Sequence, residues 1–408
     1  MKTLIKNISK LYSPLAGKPY GTVDEFSNVE MLIENGKIAS ILQKGSKAPD
    51  VDKIIDARGN TILPGFVDAH THPVFWKTRE DEFVMRIQGK SYEEIAEAGG
   101  GIRNSVRRFR DTDKELIKEV TRQRICKFLE YGTTTIEAKS GYGLSTEDEI
   151  KSLEIINEIN REQPLDLIPT FLGAHEVPDE YRDRRTAYVD LIVDEMIPKV
   201  AQNKLAKFCD VFCEDGVFTP DESSRILKAA QVFGIQSRVH ADELKSTGSA
   251  EMAAEIGAVT ADHLVKVSDA GICKIAEAGV IPVLLPGTTF FLMKDEYAPA
   301  RKMIEAGCRV AISTDFNPGS STTQNMQLIW TIAALKLKML PSELLWASTL
   351  VPAESLNLQN EIGSIEEGKN ADLILLDVPN LNYLPYHYGI NHVLMTIKNG
   401  EVVFSRNN

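Results

Sequence analysis

His70 and His72 stand two positions apart in the run Asp68-Ala-His70-Thr-His72. In an extended chain, residues two apart project to the same side. The two imidazoles can therefore take neighbouring positions on one metal ion. Two satisfied core histidines would give the same pattern, so the rest of the inventory matters. The chain has 7 histidines. Three more, His175, His240 and His263, close apolar runs that read as strands, and Ser313-Thr314-Asp315 closes another. Strand ends opening on one face would gather His70, His72, His240 and Asp315 into a mixed nitrogen and oxygen shell with an open position, suited to Zn²⁺ or iron. A cation so held lowers the pKa of a bound water from about 15.7 toward about 7 and supplies a nucleophile near neutrality. Asp315 could instead cap the segment after it, but three histidines at matching strand ends weigh against that.

The elements that would position these residues are legible as a series. Eight apolar runs end in polar residues, at 65–70, 133–139, 167–175, 209–215, 237–242, 259–263, 280–286 and 309–315. Helical stretches separate most of them. Thr112 with Glu115, Thr146 with Glu149 and Thr219 with Glu222 have capping-box spacing, the last with Pro220 at the first helical position. Leu116, Val120 and Phe128 supply part of an apolar face in the first of these helices, and Gly132 stops it. Eight alternations predict a (β/α)₈ barrel, in which all strand C-termini open on one face. A doubly wound open sheet is the alternative, but no Gly-rich phosphate loop follows a strand. The chain ends differ from this middle. Asn35-Gly36 separates 29–33 from 37–42, and Asn399-Gly400 separates 393–398 from 401–404. Asn-Gly between short β-type runs marks a hairpin, and 372–377 adds a strand. The expected α/β fold is thus a TIM barrel over 64–360 with a small β-sandwich domain built from 1–63 and 361–408.

The composition sets outer bounds. The chain has 408 residues, 43% hydrophobic and 25% charged, which excludes a mostly disordered polypeptide. A net charge of −12 argues against nonspecific nucleic-acid binding and against docking on an anionic membrane. The first residues lack the apolar core of a signal peptide, and no window has the ~18 apolar residues of a membrane span. A cytoplasmic protein is expected. The 5 cysteines are scattered and give no disulfide framework. Cys209 and Cys213 read as small buried thiols rather than zinc ligands. The basic run 103–110 reads as a solvated helix face, and His387 and His392 fall outside the barrel and read as structural.

Leu63-Pro-Gly-Phe-Val-Asp-Ala-His70-Thr-His72, the Ser313-Thr314-Asp315 strand end and Gly363-Ser-Ile-Glu-Glu-Gly-Lys-Asn-Ala-Asp-Leu373 resemble the amidohydrolase superfamily. They mark its first barrel strand, its last, and the return into the sandwich. Further blocks are His72-Pro-Val-Phe-Trp-Lys-Thr-Arg79-Glu, Gln88-Gly-Lys-Ser-Tyr92, Ala98-Gly-Gly-Gly-Ile102, Lys139-Ser-Gly-Tyr142-Gly, Phe171-Leu-Gly-Ala-His175 and Thr314-Asp315-Phe-Asn317-Pro-Gly319-Ser320. Across essentially the whole chain they are similar to the branch that opens 4-imidazolone-5-propanoate to N-formimidoyl-L-glutamate in histidine degradation. Trp76-Lys77 stands where small residues are common in that branch.

The resemblance implies a hydrolase of C–N bonds in cyclic amides, a homodimer, and a bound zinc or iron (Fe²⁺/Fe³⁺). It implies Arg79 as a bidentate holder of the substrate carboxylate, with Tyr142 and Tyr92 as phenolic contacts. His175, Asn317, Gly319 and Ser320 are carried over as contacts to substrate or product. His263, not needed as a ligand, can orient or deprotonate the water, although Asp315 could also take the first proton. Strand alternation would point its neighbour Asp262 the other way. Glu243, three residues after His240, can bond a ring N–H of the substrate or carry a proton to the leaving nitrogen. Many superfamily relatives hold two metals on a carboxylated lysine of the fourth strand. The run 209–215 has no lysine, and Lys139 belongs to the second strand, so one metal per chain is expected. A nucleobase-type aminohydrolase is the alternative, since His240-x-x-Glu243 also resembles the deaminases. A nucleobase has no carboxylate for Arg79 and Tyr142 to hold. A non-catalytic scaffold would lack a ligand or base, and none is missing.

Overall fold

The computed structural model describes residues 1–45, 50–90, 94 and 99–406. The N-terminal part gives five strands, β1 (Lys2–Pro14), β2 (Val23–Glu34), β3 (Lys37–Gln43), β4 (Lys53–Asp56) and β5 (Thr61–Pro64). Eight parallel strands follow in chain order around a barrel. They are β6 (Phe66–Asp68), β7 (Thr133–Lys139), β8 (Asp166–Ala174), β9 (Phe208–Cys213), β10 (Gln236–Ala241), β11 (Thr260–His263), β12 (Ile281–Leu284) and β13 (Ala311–Ile312). Each coincides with one of the eight apolar runs. The barrel closes just beyond the strand ends: Asp315 N donates to His70 O at 3.1 Å and His72 N to Phe316 O at 2.8 Å. That closure seats the two histidines and the aspartate side by side.

The last strands are β14 (Leu373–Leu376), β15 (Val393–Lys398) and β16 (Glu401–Ser405). They join the N-terminal strands in one mixed sheet, ordered β16-β15-β14-β5-β1-β2-β3, with β4 on β1. Ile5, Ile8, Met31, Ile62, Leu373 and Ile397 belong to its common buried cluster. Both Asn-Gly pairs turn as expected. Asn35 and Gly36 have φ of 51° and 80°, and Asn399 and Gly400 have 49° and 79°, the left-handed pair of a type I′ turn. The turns abut: a Cβ on Gly36 would lie 2.9 Å from the Asn399 carbonyl oxygen. The two chain ends thus lock through their glycines.

Helix entry differs from expectation in two places. The helix Lys114–Glu130 is capped by Asp113, which accepts from Glu115 N at 2.9 Å. The Thr112 hydroxyl instead donates to Arg108 O at 2.6 Å and closes the preceding helix. The apolar face shifts accordingly: Ile117, Ile125 and Phe128 are buried, whereas Leu116 is 54% exposed. The helix Thr146–Glu162 is capped by Ser145, not Thr146. Glu149 is thereby released for another task, described below. Only Thr219 and Glu222 form the expected capping box, with Pro220 opening the helix Pro220–Val232.

The basic run is not simply solvated. In the helix Ile102–Arg110, Arg107 pairs with Asp179 and Arg110 with Glu180, each at 2.8 Å. Arg110 Nε also donates to Gly143 O at 2.6 Å. All five cysteines are free, with Cys209 and Cys213 buried. His392 is held by Asp377 at 2.8 Å, away from the barrel mouth. Among the described residues no helix is long and apolar enough to cross a membrane.

Candidate active site

Five buried histidines form one cluster at the C-terminal mouth of the barrel. Nε2 of His70 and Nε2 of His72 are 3.3 Å apart. The His240 ring centroid lies 4.5 Å from that of His70 and 5.5 Å from that of His72. His263 is 5.2 Å from His240 and 5.4 Å from His70, and His175 stacks on His72 at 5.2 Å and 19°. One ligand atom each from His70, His72 and His240 can be chosen within 4.8 Å of one another. Asp315 lies beside the group, its Oδ1 3.6 Å from His70 Nε2 and 3.5 Å from His72 Nε2.

This donor set fits a divalent cation. The His70 Nδ1–H is spent on Asp262 Oδ2 at 2.6 Å, so its Nε2 faces the cluster as a bare lone pair. Burial, reinforced by neighbouring positive groups, holds the pKa values of His70 and His72 well below the ordinary histidine range. Both rings are therefore neutral and available as ligands. A shared cation relieves the crowding of nitrogen lone pairs.

Backbone strain marks the same residues. His263 has φ of 73° and Asp315 of 52°, left-handed values uncommon for such side chains. The turn at His263 overrides strand alternation. Asp262 was expected to point away, yet it bonds His70 while His263 also joins the cluster. Asp315 is steadied by the Thr288 hydroxyl, which donates to Oδ2 at 2.5 Å. Burial lifts the Asp315 carboxyl to about 6. Burial, together with the charge of Asp315, pushes Glu243 further, to about 8. His263 Nε2 is buried without a hydrogen-bond partner, 3.6 Å from Glu243 Oε2.

The other carried-over residues line the same mouth, apart from Tyr92, which lies outside the described residues. The Tyr142 ring is 5.4 Å from His175 and 6.3 Å from His72. Its loop hangs on Glu149, a fully buried carboxylate that accepts from the N–H groups of Gly141, Gly143 and Leu144 at 2.8–3.2 Å. His175 Nδ1 donates to Gly141 O at 2.9 Å. Arg79 gives Nε and Nη2 to Glu82 Oε2 at 2.9 and 2.7 Å. Its Nη1 faces Gly319, where a Cβ would come within 2.4 Å. Asn317 spends its amide inside the loop, donating to Asp315 O and accepting from the N–H groups of Gly319 and Ser320.

The sequence reading missed Asp262 and Asp210, each behind a ligand-type histidine, and also Glu82 and Glu149. A usable signal existed for the first two. Charged residues inside strands buried on both faces, as Asp210 is in Phe208–Cys213, have to be paired.

Residues 61–403 match the Amidohydrolase family. The chain belongs to the amidohydrolase family. It is 47% identical over 412 residues to an imidazolonepropionase of Geobacillus sp. (strain WCH70), covering 98% of this chain and 97% of that protein. It is 44% identical to an imidazolonepropionase of Alkaliphilus metalliredigens (strain QYMF), with 99% and 98% covered. Within the family, the chain thus falls in the imidazolonepropionase branch. Among solved structures, guanine deaminase from E. coli superposes over 100% of both chains with a TM-score of 0.77 at 17% identity. That likeness concerns the amidohydrolase fold alone.

Proposed function

We propose that the barrel mouth opens the ring of 4-imidazolone-5-propanoate by hydrolysis, giving N-formimidoyl-L-glutamate. The observation that carries this is the convergence of His70, His72 and His240 at a mouth where Arg79 acts on Tyr142 and keeps an Nη1 that Glu82 does not use. When bound, one zinc or iron ion would be held by His70, His72, His240 and Asp315 and would supply Lewis acidity for water and carbonyl oxygen. Arg79 and Tyr142 hold the propionate, so the ring carbonyl sits in a near-attack position. His263 takes a proton from the attacking water. Glu243 gives a proton to the ring nitrogen as the C–N bond breaks. Transfer across the 3.6 Å between them resets the pair. The barrel at 64–360 with its companion segments 1–63 and 361–408, the homodimer and the cytoplasmic location belong to the same reading.

Arg79→Ala should raise KM and leave metal content unchanged. Losing a charged, buried contact costs roughly 2–5 kcal/mol, a factor of about 30 or more. Steady-state kinetics with metal analysis checks this, and a normal KM would remove Arg79 from the carboxylate site.

Glu243 sets the alkaline limb. Its raised pKa keeps the proton-donating form populated up to about pH 8, and that form is lost as pH rises through this value. A plot of kcat/KM against pH should fall above about 8. Glu243→Gln should be slower and lack that limb; the same limb in the variant would assign it to another group.

Product analysis tests the proposed reaction. N-formimidoyl-L-glutamate without free ammonia is expected, whereas ammonia release would indicate a deaminase.

A further inference from the structure

Below the histidine cluster, the barrel interior holds ions where branched aliphatic side chains usually dominate. Glu137, Lys139, Asp210, Arg238 and Asp262 are all fully buried. Lys139 Nζ donates to Glu137 Oε1 and to Asp210 Oδ2, each at 2.7 Å, and lies 4.0 Å from Asp262 Oδ2. Arg238 Nη2 is 3.8 Å from that same Asp262 oxygen, and its Nε is 3.7 Å from Glu137 Oε1. The carboxylates lead upward. Asp262 accepts from His70 Nδ1 at 2.6 Å, and Asp210 Oδ2 lies 3.0 Å from His240 Nδ1. One ammonium thus touches the group behind one ligand-type histidine and approaches the group behind another.

We propose that Lys139 is a positioning residue for the metal: by fixing Asp210 it holds His240 in the orientation that binds the ion. The inference rests on the metal reading of these histidines. Five buried charges are costly unless each is paired. A role in binding accounts for their retention, because carboxylates behind ligand histidines fix the tautomer and ring orientation and raise ligand basicity. Strand geometry makes the arrangement rigid. Lys139 sits on β7, Asp210 on β9 and Asp262 on β11, each within the hydrogen-bonded sheet.

Co²⁺ is the probe, with its dissociation constant read by chelator competition and its ligand geometry by visible absorption. The isosteric Asp210→Asn variant should weaken Co²⁺ binding about 10–100-fold and change the visible bands. Adding Lys139→Met to Asp210→Asn removes one charge of each sign. This double variant should bind within about threefold of Asp210→Asn alone, since the ammonium then has no carboxylate to hold behind His240. Lys139→Met alone should match Asp210→Asn; if it does not fold, the charge-balanced double variant decides. Unchanged Co²⁺ affinity in Asp210→Asn would overturn the proposal. So would a full second loss in the double variant, because Lys139 would then act by another route. No Co²⁺ bound by the unsubstituted protein would contradict the metal reading itself.

Discussion

His240→Ala is expected to abolish metal retention and to lower kcat by about 10⁴-fold or more. His240 is one of the three histidines whose ligand atoms converge, and its Nδ1 lies against Asp210. Without it, His70, His72 and Asp315 remain, but an ion held by fewer groups is bound more weakly. The attacking water would revert toward its ordinary pKa, and the carbonyl would lose its electrophilic partner. The fold should survive, because the ring lies at the barrel mouth above strands buried on both faces. Metal per chain, kcat and thermal midpoint measured on one sample check this. A variant with full metal and full rate would remove His240 from the ligand set.

His263→Ala is expected to cut kcat by about 10²–10⁴-fold, the usual contribution of a positioned general base, with metal content retained. His263 is available for this role because burial keeps the resting ring neutral, with a lone pair open to a proton. Its Nε2 has no hydrogen-bond partner and faces Glu243 at 3.6 Å. Added imidazole should recover part of the lost rate. Loss of metal would make His263 a ligand instead. An unchanged kcat would give the first proton to Asp315, whose φ is also left-handed.

The architecture was legible because two kinds of signal coincide. Apolar runs ending in polar residues located all eight barrel strands, and Asn-Gly located both hairpins. Each signal reports local physics, burial in one case and φ > 0 in the other. The convergence of His70, His72 and His240 followed once strand ends were known to share a face. What escaped depends on long-range pairing or on single dihedrals. Glu149 has capping-box spacing but spends its carboxylate on the Tyr142 loop, a contact visible only once that loop is placed. Asp262 defeats alternation because His263 turns left-handed. Lys139 could be assigned to a strand but not to its partners, since Asp210 lies 71 positions away. Leu116 was misplaced by a one-residue shift in the helix start, enough to turn an apolar side chain outward.

The most direct test follows the loss of imidazolone absorbance with fresh 4-imidazolone-5-propanoate, against spontaneous decay, before and after chelation and after adding zinc or iron back. Metal per chain is measured on the same protein. About one ion per chain is expected, with turnover to N-formimidoyl-L-glutamate that chelation abolishes and metal restores. Full turnover by metal-free protein, or bound metal without turnover of this substrate, would contradict the account.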